Sequence, residues 1–156
     1  MSMTLETIRA AHARIAPYIV RTPLLRLPAL DDALGCEVYV KAECMQRTGA
    51  FKLRGAMNKI LTLTDALVAQ MPGNVCFPYV AANTDGFAAV ADDAILRGMK
   101  LLLLEGKLLC EPSSAIGIGA ALCGRLPVRE GDKVCFVVSG GSVALEQLHQ
   151  LEDVRI

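Results

Sequence analysis

Two short stretches of the chain place reactive side chains beside glycine. The first is Thr48-Gly49-Ala50-Phe51-Lys52-Leu53-Arg54-Gly55-Ala56. A glycine turn here enters a helix, and Lys52 falls in its first turn, in the positive field of the helix N-terminus. That field and local burial both lower an amine's pKa, the state a Schiff-base lysine needs. A lysine seen alone at such a position is otherwise a solvated surface residue. The second stretch is Val138-Ser139-Gly140-Gly141-Ser142, where an apolar strand runs into Ser-Gly-Gly before a helix. Ligands of open α/β sheets gather at the carboxyl ends of strands. Gly140 and Gly141 leave backbone N–H groups open to an anion, and Ser139 adds a hydroxyl. A plain tight turn would use the same residues.

Other signals are weaker. Gly117-Ile118-Gly119 with Gly124 has the wrong spacing for a dinucleotide fingerprint and lies inside a helix, so close helix packing explains it better. Asp92-Asp93 reads as the start of a helix rather than a metal site. The cysteines are Cys36, Cys44, Cys76, Cys110, Cys123 and Cys135; none are spaced C-x-x-C, and the two histidines, His12 and His149, are far apart. A zinc site of ordinary spacing is therefore not expected. Cysteines inside apolar runs behave as small hydrophobes, and reduced thiols in a cytoplasmic protein are the simplest reading.

The elements that must position the two stretches follow from periodicity. Thr4 caps a first helix with Leu5, Ile8, His12 and Ile15 on one face. Arg21 to Leu25 is extended, because Pro23 turns Thr22 away from helix. Pro28 to Leu34 is a short helix closed by Gly35. Glu37 to Ala42 alternates as a strand. Helices are expected from about Phe51 to Leu61 and from Thr64-Asp65 to near Met71. Phe77 to Ala82 is ambiguous. Phe87 to Ala91 and Lys107 to Cys110 read as short strands. Asp92 caps a helix that carries Ile95, Met99, Leu102 and Leu103 inward, with Gly106 past its end. Pro112 starts a helix through Leu122. Val134 to Val138 has the pattern of a strand buried on both faces. A last helix runs through Leu151. Strands alternate with helices, so the class is α/β: an open, mainly parallel sheet with flanking helices.

Composition bounds the rest. The chain has 156 residues, enough for one real core and too few for two ordinary domains. Lys+Arg and Asp+Glu are 16 each, so the net charge is zero. Nucleic acid or an anionic membrane held by overall charge is not expected. Hydrophobic residues are 53%, which excludes a disordered chain. With Gly counted in place of Tyr the apolar share is roughly 60%, above the usual 45–50%. No signal peptide is read, and the run Leu101 to Leu104 is far too short to span a bilayer.

Arg21-Thr22-Pro23-Leu24, Glu37 to Glu43 and Thr48 to Ala56 together resemble the fold-type II pyridoxal-phosphate enzymes. The match is with threonine/serine dehydratases (ammonia-lyases) and their serine racemase relatives. The resemblance resumes over Phe87 to Leu104, Leu109-Cys110-Glu111-Pro112-Ser113-Ser114-Ala115 and Val137 to Gly141. It implies a shortened large domain of that fold and pyridoxal 5'-phosphate as cofactor. Lys52 would hold the cofactor and move a proton at the substrate Cα. Phe51 would pack beside the ring, Ser139 would face the pyridine nitrogen and keep it unprotonated, and Gly140 and Gly141 would line the same end. The implied reaction is β-elimination from a small hydroxy-amino acid, giving ammonia and pyruvate or 2-oxobutanoate. Ala50 stands where the family usually has Ser or Thr, and Ser142 where Asn usually follows. Roughly half of the usual chain is missing at a seam near 70–74, including the Ser-Gly-Asn-His segment, the phosphate loop and the small domain. Weak cofactor binding and a homo-oligomer that covers exposed former core are expected. The alternatives are a non-catalytic, oligomerising or partner-binding remnant, and one half of a split enzyme.

Overall fold

The computed structural model describes residues 4–62 and 76–156. The seam near 70–74 and the helix expected from Thr64 lie outside these residues. Helix α1 (Leu5–Ile15) opens on a reciprocal cap. The Thr7 N–H donates to Thr4 Oγ1 at 3.2 Å, and the Thr4 N–H donates to Thr7 Oγ1 at 2.9 Å. Of its expected inward stripe only Ile15 is buried; Leu5, Ile8 and His12 are exposed. Strand β1 (Leu24–Arg26) and helix α2 (Pro28–Leu34) follow. Gly35 closes α2 at φ +66°, a left-handed conformation that favours glycine.

Strand β2 (Glu37–Ala42) is the centre of a three-stranded sheet of order β1-β2-β3, with β3 at Lys133–Val138. The β1–β2 pair is antiparallel and the β2–β3 pair is parallel. The α/β class with flanking helices therefore holds, on a mixed sheet. Helices α3 (Lys52–Thr62), α4 (Cys76–Asn83), α5 (Asp92–Leu104), α6 (Pro112–Leu122) and α7 (Leu145–His149) complete the described elements.

One face of the sheet builds the core. Val38, Val40 and Ala42 of β2 and Phe136 and Val138 of β3 pack with Leu30, Met99, Leu102, Cys110 and Ile118. Helices α2 and α6 lie against this face, and α5 packs on α6. The α5–α6 contact is close because of glycine. A Cβ on Gly119 would stand 2.6 Å from the Ala94 carbonyl oxygen, and one on Gly98 would stand 3.0 Å from that of Ala115. The helix-packing reading of the Gly117–Gly119 run is therefore correct.

Several expectations are corrected. Strand β3 is not buried on both faces: Lys133, Cys135 and Val137 are exposed, because the described residues cover only one side of the sheet. Phe87 to Ala91 and Lys107 to Cys110 are not strands; their β-forming residues find no ladder partner. Asp92 is the first residue of α5 and not its cap, which is Ala91, without a side-chain hydrogen bond. The ambiguous 77–82 stretch is helical, within α4. The last helix ends at His149, followed by a turn.

Candidate active site

The parallel pairing of β2 and β3 brings their carboxyl ends to the same edge of the sheet. Beyond β2 the chain makes a short 3-10 turn (Glu43–Met45) and then the 48–51 loop into α3. Gly49 has φ +72°, the conformation that lets this loop fold back without strain. Ala50 then pairs with Gly140 in an isolated antiparallel bridge. The Phe51 N–H donates to the Ser139 carbonyl at 2.9 Å, and the Gly141 N–H donates to the Gly49 carbonyl at 2.8 Å. Backbone hydrogen bonds thus join the two stretches singled out in the sequence, although they lie far apart along the chain. Ala50 contributes through its backbone, which any L-residue supplies.

Lys52 is the first residue of α3, as its motif predicts, but it is exposed. The burial expected to act on its amine is not seen. Phe51 is also exposed, at 47%. Ser139 is half-buried and Gly140 buried. Both glycines are crowded, Gly141 by backbone and Gly140 by the end of a side chain. A Cβ on Gly141 would stand 2.9 Å from the Leu109 carbonyl oxygen, and one on Gly140 would stand 3.0–3.1 Å from the Glu111 carboxylate.

Glu111 and Ser114 are residues that the sequence quoted without a role. The Glu111 N–H donates to the Gly140 carbonyl at 3.1 Å, and Ser113 Oγ donates to Glu111 Oε1 at 2.8 Å. Pro112 starts α6 immediately after Glu111, which turns Ser114 into the sheet edge. Ser114 Oγ accepts the Gly140 N–H at 2.8 Å and lies 2.8 Å from Ser139 Oγ. A Glu-Pro-Ser-Ser string at a helix start was the available signal; the partner 25 residues away was not.

The foot of α3 is tied down by a buried ion network. Glu43 is 4% exposed. Arg54 donates to it through Nε at 2.9 Å and Nη2 at 2.8 Å, and Thr22 Oγ1 donates at 2.6 Å. Lys41 Nζ lies 3.5 Å away. These donors, Arg54 first, outweigh desolvation and hold the Glu43 carboxyl down to about 2. Nearby, burial pushes the Cys110 thiol up to about 12, so it stays protonated and inert. The described cysteines other than Cys76 are free thiols. No helix among the described residues is long and apolar enough to cross a membrane.

The carboxyl edge of the sheet thus carries a lysine at a helix start, a serine hydroxyl and two crowded glycines on loops bonded to each other through their backbones. Comparison with known proteins identifies the family. The family described as "Pyridoxal-phosphate dependent enzyme" matches residues 15–69 and 59–140. Serine racemase of Arabidopsis thaliana is 31% identical over 170 residues, covering 95% of this chain and 50% of that protein. L-threonine ammonia-lyase of Thermotoga maritima is 29% identical over 171 residues, covering 99% and 42%. The solved structure of maize serine racemase superimposes with a TM-score of 0.82 at 20% identity, over 96% of this chain and 98% of that one. Measured by sequence, the chain spans half or less of the length of these curated relatives.

Proposed function

The chain belongs to the family of pyridoxal-phosphate dependent enzymes, and from that membership we propose that it carries the lysine and ring-nitrogen ends of a site for ammonia release from a small hydroxy-amino acid. One observation carries the reading. The Lys52 loop and the Ser139-Gly140-Gly141 loop are bonded to each other by backbone groups at the carboxyl edge of the sheet. The residues present fit the cofactor at two points. Lys52 offers an accessible amine, and Ser139 places a half-buried hydroxyl at the carboxyl end of β3.

When bound, pyridoxal phosphate supplies an electron sink for the bond broken at the substrate Cα. Lys52 would hold the cofactor and take the proton from the substrate Cα, and a proton passed on to the departing β-hydroxyl would let it leave as water. Ser139 would hold the ring nitrogen through its hydroxyl. A hydroxyl is too weak an acid to protonate the ring, so this partner would leave the cofactor a weak electron sink, which suits loss of a β-hydroxyl. Phe51 would pack beside the ring. L-Serine would give pyruvate and ammonia, and L-threonine 2-oxobutanoate and ammonia. Beta-hydroxyaspartate dehydratase of Paracoccus denitrificans, 43% identical over 67 residues, supports a small β-hydroxylated substrate class.

The test is keto-acid release from L-serine and L-threonine by the full chain with added pyridoxal phosphate, beside Lys52→Ala. Lysine-dependent release supports the reading. No release by the wild type would move the assignment to a second reading, in which the chain works only with a partner chain. That reading is favoured by its short span relative to its curated relatives.

A further inference from the structure

We propose that Ser114 is a positioning residue that sets the direction of the proton on Ser139, making Ser139 a donor to a neutral ring nitrogen. The part that concerns the ring rests on the proposed cofactor site. Ser114 is 6% exposed and is the third residue of α6. Its oxygen accepts the Gly140 N–H at 2.8 Å. Its one proton has a single acceptor within reach among the described residues, Ser139 Oγ at 2.8 Å.

Two arrangements of the hydroxyl pair are open in principle. If Ser139 donated, Ser114 would accept twice and its own proton would be buried with no acceptor, which folded proteins avoid. If Ser114 donates, every polar group on the buried side is satisfied. The hydrogen bonds then run in one direction, from the Gly140 N–H to Ser114 and from Ser114 to Ser139, and each polarises the next. The Ser139 proton is left over on a half-buried side chain at the carboxyl end of β3. It can be given to the lone pair of a neutral pyridine-type nitrogen. A protonated ring nitrogen would need Ser139 as an acceptor and would leave the Ser139 proton without a partner. Ser114 therefore acts on the ring's protonation without touching it.

The experiment is NMR on the full chain labelled with 13C-serine, first without cofactor. Hydroxyl exchange is read from the deuterium isotope effect on each serine Cβ. The Ser114 proton is expected to exchange at least about tenfold more slowly than that of Ser139. The reverse order, or two equally fast hydroxyls, overturns the proposal. The second arm adds pyridoxal phosphate labelled with 15N in the ring. The ring nitrogen should read as neutral in the wild type and in Ser114→Thr, and should gain a protonated fraction in Ser114→Ala. Identical ring-nitrogen shifts in wild type and Ser114→Ala would overturn the claim about the ring. If no variant takes up the cofactor, the proposed cofactor site fails, while the hydroxyl exchange still decides the role of Ser114.

Discussion

Glu43 is a carboxylate that the fold needs ionised. Its pKa is about 2 in the folded chain against 4.5 for a free side chain. The folded value is the lower one, so the unfolded chain binds the proton more readily. The stabilisation is fully present above pH ~4.5 and is lost as pH falls toward ~2. A difference of roughly two and a half decades in proton affinity corresponds to about 3 kcal/mol. Glu43→Gln should remove this part of the acid limb and lower stability near neutral pH by about 3 kcal/mol, because Arg54 and Lys41 lose their counter-charge. Urea unfolding of both proteins from about pH 7 to about pH 3 checks it; an acid limb unchanged in Glu43→Gln would refute it. Sequence reading singled out Lys52 and Ser139 because each sits beside glycines at a turn. It gave no role to Glu43, Ser114 or Glu111. Their meaning depends on partners such as Thr22, Arg54 and Ser139, brought near by the tertiary fold, and no local pattern encodes those distances.

The α5–α6 pair shows what a helical glycine can do. A methyl group on Gly119 would meet the backbone of Ala94 and Ile95, which has no flexible end to move aside. Gly119→Ala should therefore force the helices apart and cost about 1–3 kcal/mol. The same substitution at Gly141 meets the Leu109 carbonyl and should cost a similar amount, while Gly140→Ala meets only the end of the Glu111 side chain and should cost less. Thermal unfolding of the three variants tests this ranking; equal stability for all three would contradict it. Most elements were legible in the sequence. Thr4, Gly35 and Pro112 carry capping chemistry that acts within one turn, and β2 alternates. The two strands wrongly expected at 87–91 and 107–110 fail for a physical reason. A short apolar run describes a willingness to be buried, whereas a strand also needs a neighbour for its ladder. The segment at 107–111 comes close, with the Glu111 N–H on Gly140, but makes no regular pairing.

At the scale of the whole molecule, one face of the sheet is left to solvent among the described residues. Leu24 and Val137 are each 58% exposed there, and the outer edge of β3 has no strand beside it. Open edges and apolar faces of this kind recruit another chain. A dimer or larger assembly is the expected outcome of light scattering, and a monodisperse monomer at high concentration would contradict it. Cofactor affinity should be weak. The resemblance implies that the phosphate loop belongs to the missing part of the chain, and losing three charge-assisted bonds would cost about 5–9 kcal/mol. That is about three to six decades in Kd, so colour should wash out on dialysis; tight stoichiometric binding in a titration would show a phosphate site elsewhere. The central claim is that Lys52 and the Ser139 loop form one cofactor site. It is tested most directly by borohydride reduction of the chain with saturating pyridoxal phosphate, followed by peptide mass analysis. The account predicts one pyridoxyl-phosphate group on the peptide bearing Lys52 and none in Lys52→Ala. No adduct on the wild type, or an equal adduct on another lysine in the variant, would contradict it.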